Sequence, residues 1–366
     1  MSEYEASEAV ARGHPDKICD QISDAILDAC LKQDPTSRVA VEALISHNLL
    51  VIGGEITTDA SLHLEEIARN TLFDIGYTNL AKTIEIIHSI EQQSPDISHS
   101  VGRKGSQEIT AGDQGMVYGY ATSATPTAMP ISYEIARSLI RNIQEKRSPI
   151  LGLDGKTQVT LDLPDNRDNS IILSWQHPEE VCVEEVRSYL LQHIEKISAQ
   201  FHIPFSSIII NPSGRFVLGG PAADTGLTGR KQIVDSYGGS ICHGGGAFSG
   251  KDGTKIDRSA AYMARWVAKH IITAQLATRC RVQLIYSIGK KEPISMAVEC
   301  FNTQAVPMND LYSAIKKSFD FSVSAIISDL SLTTPIFLST AYNGHFGKPG
   351  FSWEQIDRQE ELLHHL

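Results

Sequence analysis

The sequence predicts an α+β fold made of three similar units, each containing a β-hairpin followed by a helix. The chain has 366 residues, and at roughly 100 to 200 residues per domain this length allows two or three compact units. Hydrophobic residues make up 42% and charged residues 20%, which is typical of a folded globular protein. Apolar periodicity then switches between the strand and helix patterns in the same order three times, which is the main support for three hairpin–helix–strand units.

The first unit starts with an amphipathic helix, because apolar residues recur every three or four positions before Pro35. Asp59 is predicted to be the N-cap of the second helix, and Gly76 to end it. The predicted elements are a helix over 17–32, a strand over 39–45, a turn near Asn48, a strand into Gly53-Gly54-Glu55, a helix with the apolar face of 64–75, and a strand over 84–90.

The second and third units follow the same order without obvious sequence identity. Alternating apolar residues predict each hairpin, and a longer amphipathic pattern predicts each helix. The predicted elements of the second unit are strands over 159–163 and 171–173, a polar turn around Asn166, a helix after Pro178 and a strand over 208–210. Those of the third are strands over 282–286 and 296–298, a turn over 289–292 and a helix after Asn309.

Two stretches lack this rhythm and are predicted to be functional. Residues 94–115 are polar, rich in glycine and long for an idle connection, so we expect a mobile lid, with an unstructured surface insertion as the alternative. Residues 211–258 combine many glycines with Lys, Arg and Asp, which indicates close approach of backbone to a ligand.

Composition narrows the possible partners. Lys plus Arg total 32 against 43 Asp plus Glu, and the net charge of −11 disfavours broad binding to nucleic acid or anionic membranes. The six cysteines form no CxxC pair, so neither a zinc module nor a disulfide framework is expected. No apolar stretch approaches about 18 residues, and the first residues lack a signal-peptide pattern. These features predict a cytoplasmic protein with reduced thiols.

The segment HGGGAFSGKD over 243–252 has the glycine and lysine spacing of a Walker A phosphate loop. Asp252 stands where that loop needs Ser or Thr for magnesium, and no long apolar strand leads into the glycines. A standard P-loop is therefore disfavoured. A local phosphate pocket remains, because small residues expose N–H groups beside Lys251 and Lys255; the alternative is a glycine-rich turn with solvated lysines.

The segment GHPDK over 13–17 lies where a loop enters the first helix. Asp16 is a possible N-cap, and His14 in this rigid turn is a candidate for ligand contact. Asp20, Asp24 and Asp28 continue the acidic series at spacing four on one helix face. For Asp24 and Asp28 the expectation is a solvated acidic stripe.

Seven motifs in order resemble the S-adenosylmethionine synthetase (methionine adenosyltransferase) family over about 7–357, essentially the whole chain. They are GHPDK, GGEITT, AGDQG, INPSGRFVLGGP, GLTGRK, GGGAFSGKD and KIDRSAAY. The sequence departs from the family at Thr110 before AGDQG, at Arg12 in place of an acidic residue, and in a short tail after Trp353.

The resemblance implies that the chain makes S-adenosyl-L-methionine from ATP, L-methionine and water, with release of phosphate and diphosphate. It implies a pseudo-threefold arrangement of the three units, two Mg²⁺ per subunit, K⁺, and a homodimer or homotetramer with sites between subunits. The motifs divide the chain into an N-terminal segment (1–98), a mobile active-site loop (99–115), a middle segment (116–219) and a C-terminal segment (220–366).

The resemblance also implies roles for single residues, carried over motif by motif. The catalytic residues are His14, Lys156, Arg230 and Lys251. The ATP-binding residues are His14, Asp154, Lys156, Arg215, Phe216, Asp224, Arg230, Lys231, Ala247 and Lys251. The methionine-binding residues are Glu55, Gln93, Asp113, Asp224 and Lys255. The metal ligands are Asp16 and Asp257 for magnesium and Glu42 for potassium.

Two other classes of protein stay open at this point. A different ATP-dependent phosphoryl transferase would use the same glycine and lysine pocket but would release ADP or AMP. A non-catalytic regulatory partner would bind nucleotide or another subunit, and it would be expected to lack the charged constellation that this sequence retains.

Overall fold

The computed structural model describes residues 3–92, 109–163 and 167–366, and within these ranges it confirms the predicted α+β class. The strands are β1 (Glu3–Val10), β2 (Arg38–Ser46), β3 (Leu49–Thr57), β4 (Glu85–Glu91), β5 (Gly115–Thr122), β6 (Gly155–Leu163), β7 (Ser170–Trp175), β8 (Ser207–Ile210), β9 (Gly226–Leu227), β10 (Arg279–Tyr286) and β11 (Ser295–Glu299). The helices are α1 (Pro15–Gln33), α2 (Leu64–Ile75), α3 (Thr78–Thr83), α4 (Ile131–Lys146), α5 (Val183–Phe201), α6 (Gln232–Asp235), α7 (Ile256–Thr273), α8 (Met308–Ser318), α9 (Val323–Asp329) and α10 (Gln359–His364).

The strands form three sheets that draw on distant parts of the chain. Sheet I has the spatial order β4-β3-β2-β9, sheet II has β1-β6-β7-β8, and sheet III has β11-β10-β5. The pairs β3–β4 and β7–β8 are parallel, and the other pairs are antiparallel. Strands β1, β5 and β9 thus join sheets whose other strands lie elsewhere in the sequence. The segment boundaries at residues 98, 115 and 219 remain a prediction.

All three predicted hairpins are present. Strands β2–β3, β6–β7 and β10–β11 pair antiparallel, and in the first two units helices lead to a parallel third strand. In the third unit α8 is followed by α9 instead. The predicted turn around Asn166 lies outside the described residues.

The capping role predicted for Asp59 is wrong. Helix α2 begins at Leu64 and its N-cap position is His63, which makes no capping side-chain bond. The N–H of Asp59 instead donates to Asp34 Oδ2 at 2.9 Å, and the hydroxyl of Thr58 also donates to that oxygen, at 3.2 Å. These bonds turn the chain at this point, so the helix starts five residues later.

Helix α1 is the central element of the site region, and its acidic face is not a solvated stripe. Asp24 is fully buried and forms two bonds, of 2.7 and 2.8 Å, with the guanidinium of Arg258, which is also fully buried. Asp28 accepts the N–H groups of Phe337 and Leu338 at 2.9 and 2.8 Å. The expectation of solvated carboxylates was wrong because returning loops cover this face of the helix.

The four carboxylates Asp16, Asp20, Asp24 and Asp28 therefore form a ladder along α1. Each accepts at least one backbone N–H from a loop far along the chain; the first three donors are Leu227, Gly229 and Gly250. Because a buried carboxylate must find hydrogen-bond donors, the ladder fixes those loops against the helix. The two loops that carry the predicted phosphate-binding lysines are among them.

Candidate active site

His14 and Asp16 stand at the N-terminus of α1. His14 is the N-cap residue, and its Nδ1 accepts the N–H of Asp16 at 3.2 Å while Pro15 occupies the first helical position. Burial first, and then the nearby charge of Lys231, lower the pKa of His14 to about 4. The ring is therefore neutral at pH 7, and because Nδ1 is an acceptor, its proton resides on Nε2.

Asp16 is the acidic centre of this end of the helix, with 2% of its surface exposed. Its Oδ1 accepts the N–H of Leu227 at 3.0 Å, and its Oδ2 accepts a bond from the ammonium of Lys231. Arg230 Nε lies 3.8 Å from Oδ1. Burial raises the pKa of Asp16, but the Lys231 and Leu227 bonds outweigh it and hold the pKa below its usual value, so the group is a carboxylate.

Gly226 explains how the loop before Arg230 comes so close to α1. A Cβ atom at this position would lie 2.2 Å from the carbonyl carbon of Pro15, so only glycine fits. The backbone then runs past Asp16 and Asp20, which accept the N–H groups of Leu227 and Gly229. This path places Arg230 and Lys231 beside Asp16.

Lys156 and Asp154 approach the same place from sheet II. Lys156 pairs in register with Val10 of β1, and its Nζ lies 3.0 Å from a carboxylate oxygen of Glu8. Its charge is near enough to lower the pKa of His14. Burial raises the pKa of Asp154, whose Oδ2 accepts the N–H of Gly220 at 2.9 Å. Asp154 therefore orders the glycine-rich turn.

Three further ATP candidates lie in more open positions. Asp224 is exposed, accepts the N–H of Thr225 at 2.8 Å, and its charge raises the pKa of His14. Arg215 is exposed and pairs with Glu179 at 2.6 Å. Phe216 is half-buried, and its backbone is tied to His177 by two hydrogen bonds of 2.9 and 3.2 Å.

A second cluster lies around the N-terminus of α7. Lys251 Nζ donates to Asp257 Oδ2 at 2.6 Å, and both side chains are about one-fifth exposed. Gly246 passes so close to this carboxylate that a Cβ atom there would lie 2.1 Å from Asp257 Cγ. Ala247 packs against Gly229, so this loop touches the loop that carries Arg230.

The structure also explains Asp252, the residue that interrupts the Walker pattern. Asp252 is buried, its Oδ2 accepts the N–H of Val39 at 2.6 Å, and Lys255 donates to the same oxygen at 2.6 Å. Burial raises the pKa of Asp252, but Lys255 and Arg38 outweigh it and lower the pKa. Asp252 fastens the lysine loop to β2, so this segment is not a Walker loop.

The methionine and potassium candidates are spread over sheet I and the chain beyond it. Glu42 is opposite Gly53 and Glu55 is opposite Ala40, so both acids lie on the face of sheet I that is not packed on helices. Asp113 is exposed and accepts the N–H of Gln114. Gln93, like most of the predicted lid over 94–115, lies outside the described residues.

The arrangement of these side chains bears on whether they could bind magnesium or potassium. Within residues 3–92, 109–163 and 167–366, no three His, Cys, Asp or Glu side chains converge in a way that could hold a metal ion. Asp16 and Asp257 each present one carboxylate paired with a lysine. This fits magnesium, which binds through one or two carboxylates together with substrate phosphates, rather than an all-protein cage.

Sequence reasoning missed Lys17 and Asp235 under the site. Lys17 is 1% exposed and its Nζ binds Asp20 at 2.9 Å and Asp235 at 2.5 Å. Burial lowers the pKa of Lys17, but the two acids outweigh it and raise the pKa above its usual value. A lysine inside an amphipathic helix was the available signal, because a charge on a buried face needs partners.

Two findings outside the site concern the cysteines and the helices. All six cysteines are free thiols. None of the helices in the part of the chain that the structure covers is long and apolar enough to cross a membrane.

Comparison with known proteins gives three matches that together run along nearly the whole chain. The family descriptions are S-adenosylmethionine synthetase N-terminal domain (residues 2–95), central domain (108–216) and C-terminal domain (218–355). The S-adenosylmethionine synthase of Pseudothermotoga lettingae is 47% identical, covering 99% of this chain and 98% of its own. That of Mesoplasma florum is 46% identical over 99% and 100%, and S-adenosylmethionine synthase 1 of Rhodospirillum rubrum is 48% identical over 97% of each chain. The chain therefore belongs to the S-adenosylmethionine synthetase family.

Proposed function

We propose that this chain is a methionine adenosyltransferase that converts ATP, L-methionine and water into S-adenosyl-L-methionine, phosphate and diphosphate. In the first step the methionine sulfur attacks C5′ of ATP, the C5′–O bond breaks, and triphosphate leaves with the bond electrons. Water then cleaves the triphosphate. The observation that carries the proposal is the N-terminus of α1, where a neutral His14 with its proton on Nε2 stands beside Asp16, Arg230 and Lys231.

We assign His14 to the stabilisation of the ATP oxygen that leaves C5′ in this reaction. A neutral imidazole with Nδ1 occupied as an acceptor presents Nε2–H as a donor, which stabilises negative charge as it develops on the oxygen. With a pKa of about 4, His14 keeps this form at neutral pH and needs no proton to act. Methionine sulfur is itself a nucleophile, so no protein nucleophile is required.

The lysines and arginine of the two clusters are assigned to the triphosphate. Lys231 and Lys251 are each paired with a carboxylate, Asp16 and Asp257 respectively. Phosphate oxygens compete for the same ammonium groups, so we expect the lysines to turn to the substrate and free carboxylate oxygens. Lys156 and Arg230 extend the positive surface on the His14 side.

The carboxylates freed in this way would hold magnesium, at Asp16 and at Asp257, and Glu42 would hold potassium. When bound, magnesium neutralises phosphate charge and so lowers the energy of the departing triphosphate. The chain's own contribution is to aim the two carboxylates, which the Leu227 N–H does for Asp16 and close packing of Gly246 does for Asp257.

The remaining candidates are assigned to the two substrates. The ring of Phe216 offers a face for adenine, with Arg215, Asp154 and Ala247 around the nucleotide. The acids Glu55, Asp113 and Asp224 suit the ammonium group of methionine and tolerate the sulfonium product. Gln93 and Lys255 complete the methionine set that the family resemblance implies.

We also propose that the site is completed by a second copy of the chain, in a homodimer or homotetramer, and that the units have pseudo-threefold symmetry. Glu42 and Glu55 lie on the open face of sheet I together with Ile87, which is 50% exposed. An apolar residue and two site acids on one open sheet face support coverage by another subunit. A cytoplasmic location remains part of the proposal.

Product analysis tests the reaction. The purified chain, incubated with ATP, methionine, magnesium and potassium, is expected to give equal amounts of S-adenosylmethionine, phosphate and diphosphate by mass spectrometry and phosphate assay. Release of ADP or AMP without S-adenosylmethionine would indicate a phosphoryl transferase instead. Full activity in a chelator without divalent ions would also contradict the proposal.

Asp16→Asn tests the site itself, with Asp74→Asn as the matched control because Asp74 is an exposed carboxylate on α2. We expect Asp16→Asn to lower kcat by a factor of about 100 or more, in the range of losses for a transition-state charge contact. Asp74→Asn should keep wild-type turnover. Equal turnover in the two variants would remove Asp16 from the mechanism.

A further inference from the structure

A cavity of about 450 Å³ lies behind the turn that carries His14. Its walls come from the Arg12–Gly13 turn, the end of α2, the last turns of α4, the loop 151–153 and the loop around Tyr342. This volume is in the range of small-molecule sites. None of the described residues assigned above to ATP, methionine or metal lines it, so the cavity is separate from that part of the proposed active site.

Part of the cavity wall is apolar. Ile75, Ile143, Leu151 and Leu153 line it together with the ring of Trp175. Trp175 is 2% exposed and its Nε1 donates to Gly152 O at 3.0 Å, so its polar atom is already satisfied. This wall suits a ring or a branched alkyl group.

Three arginines and one acid also line the cavity, in a chain whose net charge is −11. Arg12 stacks on Tyr342 at 4.3 Å, and its Nε donates to Gln21. Arg141 and Arg147 are exposed, and the acid of the lining, Glu145, lies 4.0 Å from Arg141. Three guanidinium groups in one lining favour an anion, since Arg binds carboxylates with two parallel donors.

We propose that this cavity binds a small carboxylate with an apolar body, whose carboxylate lies on the arginines and whose ring or alkyl group lies on the Trp175 wall. A plain acid and a free apolar α-amino acid share this chemistry. The wall includes Gly13, next to His14, but binding itself does not depend on the proposed reaction.

Trp175 makes the test direct, because it lines the cavity and is one of three tryptophans. The intact wild-type protein is titrated with phenylacetate, L-phenylalanine and 2-phenylethylamine while tryptophan fluorescence is recorded, and Trp175→Phe identifies the signal from the cavity. The double variant Arg141→Gln, Arg147→Gln removes two rim cations. Lys196→Gln, an exposed cation on α5, is the matched control.

We expect a saturable Trp175 signal with at least one of the two acids and none with the amine. The double variant should raise the Kd at least tenfold, while Lys196→Gln leaves it unchanged. A response to both acids assigns the plain carboxylate, and a response to phenylalanine alone assigns the amino acid. No response to either acid, equal response to the amine, or an unchanged Kd in the double variant would overturn the proposal. Each measurement reports binding and not turnover, so its outcome does not depend on whether the proposed reaction is observed.

Discussion

Asp24→Asn is expected to cost about 3–5 kcal/mol of unfolding free energy, the range for breaking a buried ion pair by removing one partner. In the wild type, burial alone would lower the pKa of Arg258, and Asp24 outweighs burial and keeps the guanidinium charged. Asparagine retains one acceptor oxygen for the N–H of Gly250 but presents a donor to the second guanidinium nitrogen. The variant therefore leaves a fully buried cation without its counter-charge.

Urea unfolding followed by circular dichroism measures this cost, at one protein concentration so that self-association does not shift the midpoint. Glu299→Gln is the matched control, because Glu299 contacts Arg281 at 2.5 Å but the two side chains are 47% and 31% exposed. Exposed pairs contribute about 0–1 kcal/mol. A loss below about 1 kcal/mol in Asp24→Asn, equal to that of the control, would refute the reasoning that burial sets the cost.

Two further substitutions and one titration probe the site. Asp252→Ser restores the sequence pattern of a Walker A loop. We nevertheless expect lower stability and no gain in methionine-independent ATP hydrolysis, because Lys255 and the β2 backbone lose their hydrogen-bond acceptor. Increased hydrolysis would support the P-loop hypothesis instead. Gly246→Ala should displace Asp257 and lower kcat at least tenfold while circular dichroism stays unchanged, and normal turnover would contradict that packing. The ring of His14 should show no NMR titration between about pH 5.5 and 8, since its lowered pKa confines the charged form to pH values near 4 and below; a midpoint near 6.5 would show that burial does not act on it.

The fold could be predicted where a strand or helix has one buried face. The hairpin β2–β3 and helix α1 fit their predicted positions closely, because alternation or helical spacing marks the inward side. Helix α7 was missed because it is buried almost all round and contains Arg258 and Arg265, both fully buried, on its inner surface. Buried arginines interrupt the apolar stripe by which a helix is predicted from its sequence.

Strands β1 and β5 were missed for a different reason. Each pairs with a strand roughly 150 residues away, β1 with β6 and β5 with β10, and single-sequence patterns carry little information about such partners. The candidate site residues were predicted from motifs. The environments of these residues could not be predicted from motifs. The burial of Asp24 depends on segments that return from beyond residue 249, so its role is visible only in three dimensions.

The carboxylate ladder of α1 has a consequence for folding during synthesis, because its hydrogen-bond donors are made much later than the helix. Its acids accept N–H groups from residues that lie 209 to 310 positions downstream, so an interval separates the synthesis of α1 from that of the residues that cover its acidic face. Synthesis at about 5–20 residues per second makes that interval tens of seconds. During it the apolar side of α1 is exposed and its acids are hydrated, which favours an extended or chaperone-held N-terminus over early local collapse. A truncation before Phe337 would leave Asp28 without its two backbone donors.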